Sequence, residues 1–349
     1  MKTFASIYIG SYEVILKVFE IVSKKPLREI DCLKTQTDMV QDIYKKGRVS
    51  FETTDKLCTV LSDMKKTMEM YQVDEYRAYA GASIHQAENE LFVLEQIKLR
   101  ADMKVTVLSN SEHRFLGYKA IASNESFDDM VKESAAIVDV GGASLQITLF
   151  HHGKIVTTQH LMLGTVAMKE NLKRLENMAN HEEQISEMIY KELDVFKMMF
   201  LQEFDLKYLI LLGDNVSALV RNLGIDRDGK LMKAEVYQKY LAKMQNKQLV
   251  DMTEKIDVLN DNEGLLQAFL LLHRAIAEKI SAKYIMVPGV AVNEGIAYDY
   301  AMKHRMIKVP HDFEQDIISA AWSISKRYGS YQPHLKALQK ISLQKRKMP

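Results

Sequence analysis

The stretch AIVDVGGASLQITLF, from Ala136 to Phe150, reads as two apolar runs joined by a glycine turn, with one acid, Asp139, just ahead of it. Glycines let the backbone approach a ligand closely and adopt positive φ, so such a turn can aim main-chain N–H groups at a phosphate. Gly141, Gly142 and Ser144 are therefore candidate phosphate contacts, and strand alternation puts Ser144 and Gln146 on one face. A second turn, Gly10-Ser11, separates the runs TFASIYI and EVILKVFEI, and a third, Gly213-Asp214-Asn215, follows the apolar LILL. One glycine turn is a weak signal, because hairpins need such turns anyway. Three of them, in the order strand-turn-strand twice and then strand-turn, point to phosphate binding.

The elements that position these turns repeat. IYIGSYEVILKVF and VDVGGASLQITLF overlay without a gap, Gly10 on Gly141 and Phe19 on Phe150, which indicates a duplicated domain. Between the copies, a helix spanning SFETTDKLCTVLSDMKKTMEMY with Ser50 as N-cap, the strands YRAYAGAS and MKVTVLS, and a helical ENELFVLEQIKLR give an alternating α/β pattern. The second copy adds a turn at HHGK and a third strand IVTTQHLML, then helices near 183–204 and 264–280 that should pack on its sheet. His151 and His152 read as a solvated turn whose neighbours point apart. The expectation is two α/β domains around a cleft, residues 1–125 and 126–305, divided in the polar ASNESFDDMVKES. An amphipathic helical extension, 306–349, carries the one tryptophan, Trp322.

Composition narrows the class. A chain of 349 residues with 47% hydrophobic and 27% charged residues has the make-up of a globular protein with a substantial core. A net charge of +1 gives no ground for expecting nucleic acid or an anionic membrane as partner. Cys32 and Cys58 have no metal-ligand spacing and read as buried thiols of a cytosolic protein. The opening MKTFASIYIG runs straight into a strand, without a small-residue cleavage site, and no run of 18 apolar residues follows, so a cytoplasmic protein without a membrane span is expected. The twenty methionines, many at helical spacing, read as adaptable core filling.

Six ordered segments resemble the exopolyphosphatase/guanosine pentaphosphatase (Ppx/GppA) family of the sugar kinase, actin and Hsp70 superfamily, over residues 3 to 305: GRVSFETTDKL, ASIHQAEN, VTVLSNSEHRFLGYKA, VDVGGASLQ, LGTVAMKE and VPGVAVNEG. The resemblance implies two ribonuclease-H-like (actin-like ATPase) domains. It also implies cleavage of terminal phosphoanhydrides of polyphosphate or guanosine polyphosphate, with Mg²⁺ and a water-activating glutamate, and it admits a homodimer. The tail is similar to the first helices of an HD-like domain that long members append, with His334 on its early histidine.

Carried over residue by residue, the resemblance puts Asp139 on the metal-associated aspartate and Gly141, Gly142 and Ser144 on the phosphate loop. Gly10, Ser11 and Gly213 follow as further phosphate contacts. Elsewhere the pattern departs. Tyr8 stands where the family has an aspartate, and Tyr12-Glu13 replaces Asn-Ser. The catalytic glutamate falls on His113 with Glu112 beside it, and a later glutamate becomes Gln146; the family's two arginines become His85 and Asn293. The expectation is an anion-binding loop with weak Mg²⁺ binding and impaired hydrolysis, in which Glu112 or His113 assists water. A silent phosphate-sensing or partner-binding protein is the alternative.

Overall fold

The structure, a computed structural model, describes residues 1–122, 126–178, 180–202, 205–222, 231–243, 263–308, 311–331, 333, 334, 336–338 and 340. Residues 123–125 of the expected domain boundary, and the ends of the expected helix at 203–204 and of the tail at 341–349, lie outside the described residues.

Two mixed sheets form the body. In the first, β1 (Lys2–Ile9) pairs antiparallel with β2 (Glu13–Ile21), which pairs antiparallel with β3 (Arg28–Gln36). On its other side β1 runs parallel to β4 (Glu75–Ala80), followed by β5 (Thr106–Val107), for the order β3-β2-β1-β4-β5. In the second sheet β6 (Ser134–Val140), β7 (Leu145–His151), β8 (Lys154–Leu161), β9 (Leu206–Leu212) and β11 (Ala282–Met286) repeat that order and sense, and β10 (Met232–Lys233) adds an edge. The duplication is thus complete. The sequence expectation gave a third strand to the second copy alone, but β3 supplies it to the first. β3 escapes a pattern search because it is an edge strand with mostly exposed side chains.

Alternation along the strands builds a core on each side. Ile7, Ile9, Val14 and Leu16 pack under α2 (Phe51–Met70) and α3 (Glu90–Arg100), while Phe4, Phe19 and Ile21 face the other way, towards α11 (Val292–Lys303). Ser50 caps α2 as expected, its hydroxyl accepting from Thr53 N at 3.2 Å. The short α1 (Met39–Lys46) carries no signal long enough to read, yet its Val40 enters the second domain's core. In that core Val138, Ile147 and Leu149 meet α6 (Thr165–Leu175), α7 (His181–Phe200), α9 (Ala234–Lys243) and α10 (Glu263–Lys279). The opposite face, Ala135, Ile137 and Phe150, packs on α4 (Asn110–Ile121) and α5 (Phe127–Glu133). At HHGK, His152 and Gly153 both take positive φ (49° and 70°), and the two histidine rings lie 4.0 Å apart instead of diverging, because the turn folds them onto one side.

Two helices bind the halves together. α4 follows β5 but places Tyr118 and Ile121 on the second sheet; α11 follows β11 but places Ile296 and Tyr300 on the first. They cross at Gly295, where a Cβ would stand 1.9 Å from the Leu116 carbonyl oxygen, so only glycine admits this approach. Lys119 of α4 reaches Asp299 of α11 at 2.5 Å. Beside the crossing, Lys17 of β2, only 4% exposed, lies 2.5 Å from Glu294, 3.1 Å from Asp214 and 3.4 Å from Glu29. Asp214 opens α8 (Asp214–Asn222) in the second domain and also takes Lys34 of β3 at 3.0 Å.

The extension forms α12 (Phe313–Arg327), which lies on β8. Ser319 Oγ accepts from Ile155 N at 3.2 Å and Ser323 Oγ donates to Ile155 O at 2.8 Å. Just ahead of α12, His311 joins Asp128 and Asp316, both at 2.6 Å. Among the described residues no helix is long and apolar enough to cross a membrane.

Removing one partner of a buried ion pair strands the other, a loss of about 3 kcal/mol or more. Lys17→Met should therefore lower unfolding free energy in urea by roughly that amount, and adding Glu294→Gln should recover most of it. Gly295→Ala should destabilise by several kcal/mol, since backbone and not a movable side chain occupies the space.

Candidate functional site

The glycine turns meet in one cleft between the sheets. Gly10, Ser11, Gly141, Gly142, Ser144 and Gly213 line it together with Asp139, Gln146 and His113. The second turn is tight, with Gly141 N donating to Ser144 O at 2.9 Å, and the first turn rests directly on it: a Cβ at Gly142 would meet Ser11 Cβ at 2.4 Å. The enclosed space is about 170 Å³, below the few hundred Å³ usual for a whole small-molecule ligand.

Asp139 and Gln146 are cross-strand partners on β6 and β7, on the face that α4 covers. α4 begins with Ser109 as N-cap, and one turn later its His113 projects over that pair, Nδ1 standing 3.6 Å from Asp139 Oδ2. That gap is too long for a hydrogen bond, and His113 Nδ1 and Gln146 Oε1 are buried with no hydrogen-bond partner among the described residues. Burial pushes the His113 imidazole below its ordinary value, with Asp139 opposing, so it is neutral at pH 7. Burial also holds the Asp139 carboxyl above the usual carboxylate range, with His113 opposing.

Two expected site residues do not join the cleft. Glu112 turns back on its own helix, its carboxylate accepting from Ser109 N at 2.8 Å and from Ser109 Oγ at 2.7 Å, which holds it below the usual range. A residue at the third helical position is well placed to close a capping box, and that use competes with any swing toward Asp139. His85, in the short 3₁₀ turn Ala82–Gln86, is exposed and bonds Glu90 at 3.0 Å, while its neighbours Ser83 and Gln86 line the cleft. Asn293 lines the cleft but spends its amide on the first sheet, donating to Ser6 O and Oγ at 3.0 Å.

Other residues here were not singled out by sequence as chemistry. Tyr8 fills the floor, its hydroxyl 2.5 Å from where a Gly81 Cβ would be, with its ring 5.4 Å from that of His113. Burial, with Asp139 and Glu13 adding to it, drives its phenol far up, so it stays neutral. Tyr12 accepts a hydrogen bond from the Asn215 amide across the cleft. Glu13 Oε2 is buried without a partner, and burial pushes its carboxyl up to about 7 against the pull of Lys34 and Lys17. Burial would also raise Asp214, but Lys17 and Lys34 together hold it low. Glu13, Asp139 and Asp214 line the cleft with His113, His160 and His273; among the described residues no lysine or arginine does.

The sequence matches the Ppx/GppA phosphatase family over residues 17–304. The chain belongs to the Ppx/GppA phosphatase family. Among curated proteins, a bifunctional 3-dehydroquinate synthase/phosphatase of Fusobacterium nucleatum subsp. nucleatum is 21% identical over 213 residues, covering 56% of this chain and 31% of that relative, so the match spans about a third of its length. Of solved structures, a Ppx/GppA family member of Aquifex aeolicus is 18% identical and superposes with a TM-score of 0.66, over 87% of this chain and 98% of its own. An exopolyphosphatase of Cytophaga hutchinsonii is 15% identical with a TM-score of 0.69, over 88% of this chain and 99% of its own. These structural likenesses establish the two-domain, actin-like fold.

Ppx/GppA proteins are phosphoanhydride hydrolases that generally use a divalent metal. The donor set here does not fit one. Mg²⁺ requires several hard oxygen ligands, anionic ones among them, yet the side chains facing Asp139 are a histidine and an amide. No group of three or more His, Cys, Asp or Glu side chains among the described residues could hold a metal ion.

Glu13 supplies a test of the cleft's electrostatics. Its folded-state pKa is raised from 4.5 to about 7, so the stability it gives is complete below about pH 4.5 and is lost as pH rises to 7. Glu13→Gln should raise the thermal midpoint at pH 8, by the equivalent of about 3 kcal/mol at most, and leave it nearly unchanged at pH 4.5. Equal effects at both pH values would contradict the buried, unpaired carboxyl.

Proposed function

We propose that this Ppx/GppA-family chain hydrolyses terminal phosphoanhydrides, those of polyphosphate or of a guanosine polyphosphate, slowly, with His113 in place of the family's water-activating glutamate. The observation that supports it most is the neutral, unpartnered His113 imidazole facing Asp139 beside the Gly141–Ser144 turn. In the step, a water oxygen attacks the terminal phosphorus as the imidazole takes its proton. The bond from phosphorus to the bridging oxygen breaks, and that oxygen leaves on the shortened chain and is protonated from solvent. Gly141, Gly142 and Ser144 orient the terminal phosphate, with Gly10, Ser11 and Gly213 around it. Asp139 stands beside the imidazole and orients it, and Gln146 holds the water through its amide oxygen. None of these groups supplies the charge that a metal or an arginine brings to a phosphoryl transition state, which is why the rate is low.

A second reading, a silent protein that binds a phosphorylated ligand or a protein partner without turnover, is favoured by Tyr8. Its ring occupies the place where the family has a carboxylate, and Gly81 makes room for its hydroxyl, which a Cβ there would meet at 2.5 Å.

Phosphate release from long-chain polyphosphate and from guanosine pentaphosphate separates the two. Slow release by the natural chain, falling about 10²-fold or more in His113→Ala, supports the histidine as base. The acid limb of its pH profile should lie below pH 6.5, because burial lowers the imidazole. Release unaffected by His113→Ala would overturn that role. No release by the natural chain, with a gain in the Gln146→Glu, Tyr8→Asp double variant, would establish the silent reading.

A further inference from the structure

One row of α4 lines the cleft: Asn110, His113 and Gly117, at steps of three and four residues. The row beside it is Ser111, Arg114 and Tyr118, and Tyr118 fixes where that row lies. Its hydroxyl bonds Thr148 Oγ1 of β7, which stands 3.3 Å from Thr158 Oγ1 of β8. Gln146 and His160 are the next cross-strand pair on the same face, two residues nearer the Gly141–Ser144 turn, and both line the cleft. Arg114 is one helical turn ahead of Tyr118, which places it above that pair. Long side chains on a helix lean toward its N-terminus. Arg114 does so, its Nη2 donating to Ser111 Oγ at 3.3 Å, and among the described residues no carboxylate pairs with it. Burial lowers the His160 imidazole, and the Arg114 charge lowers it further. Burial also leads at His113, where Asp139 opposes and Arg114 adds to the lowering.

We propose that Arg114 binds the second phosphate of a ligand whose terminal phosphate rests on the Gly141–Ser144 turn. The proposal rests on the phosphoanhydride reading of the cleft and adds the side chain that tells a phosphoanhydride from a single phosphate. Space is the first ground. The cleft encloses about 170 Å³, so with one phosphate seated on the turn the next must lie toward the mouth. His160 is exposed and marks that mouth, and Arg114 stands beside it. Bonding is the second ground. The contact with Ser111 is long, neutral on the acceptor side and exposed, so a half-buried guanidinium can exchange it for two parallel charge-assisted bonds to phosphate oxygens. Position then decides what the residue does. A cation at the second phosphate holds the ligand equally before and during cleavage, so it strengthens binding without speeding the bond-breaking step. That agrees with slow turnover, because the phosphoryl group being transferred still lacks a cation.

Calorimetry with inorganic phosphate and with pyrophosphate, on the natural chain, Arg114→Gln and Arg114→Lys, tests this. Pyrophosphate should bind the natural chain about 10-fold tighter than phosphate or better, a preference of the size a charge-assisted pair supplies. Arg114→Gln should remove that preference while phosphate affinity and the thermal midpoint hold. Arg114→Lys, which keeps the charge and loses the fork, should retain part of it. A preference that survives Arg114→Gln, or an equal loss for both ligands, would overturn the assignment. If Arg114→Gln fails to fold, Arg114→Lys must weaken pyrophosphate several-fold with phosphate unchanged, and unaltered binding of both would overturn it. Phosphate release from tripolyphosphate gives an independent reading: Arg114→Gln should act mainly on KM, raising it by about 10-fold, and an effect confined to kcat would contradict a place at the second phosphate. A pyrophosphate preference without any release would sink the hydrolytic reading and leave Arg114 standing. Release by the natural chain that Arg114→Gln leaves untouched would sink the Arg114 assignment alone, and no binding of either ligand would sink both.

Discussion

The contact of Gly295 with the Leu116 backbone governs the molecule. It lets α4 and α11 cross at a distance no other residue allows, and each of these helices leaves one half of the chain to pack on the sheet of the other. The residues at their N-termini inherit that geometry. His113 comes over Asp139 because α4 is held down on the second sheet by Tyr118, whose hydroxyl bonds Thr148, two residues beyond Gln146 on the same face of β7. Asn293 and Glu294 reach the first sheet because α11 crosses back to it.

The charges around that crossing sort into two groups with different work. Lys17, Lys34, Asp214 and Glu294 neutralise one another between β2, β3, α8 and α11, joining first-domain strands to second-domain helices. Glu13, Asp139 and His113 are left to face one another or nothing, and burial moves each toward its uncharged form. Tyr8 and Gln146, both neutral, line the cleft beside them.

Much of the fold could be read from the chain because the two hairpins repeat in register, and because long helices such as α2 and α10 show apolar periodicity over many turns. β3 and α1 could not: one is an exposed edge with no alternation to find, the other spans only eight residues. The cleft was legible wherever a residue sits on a glycine turn or at a fixed offset along a strand from one, as Asp139, Ser144 and Gln146 do. Glu112 and His85 were misplaced because motif position does not reveal a competing local bond, here to Ser109 and to Glu90. The contribution of Lys17 was invisible for another reason. Its second-domain partners, Asp214 and Glu294, lie 197 and 277 residues away, and no local pattern announces a pairing at that separation.

The single tryptophan sits far from all of this. Trp322 lies on α12, 36% exposed, on a helix bonded to β8 through Ser319, Ser323 and Arg327. Its indole emission therefore reports first on how the extension is seated on β8. A fluorescence melt of this protein would register α12 lifting off, and could show a transition while both domains were still intact.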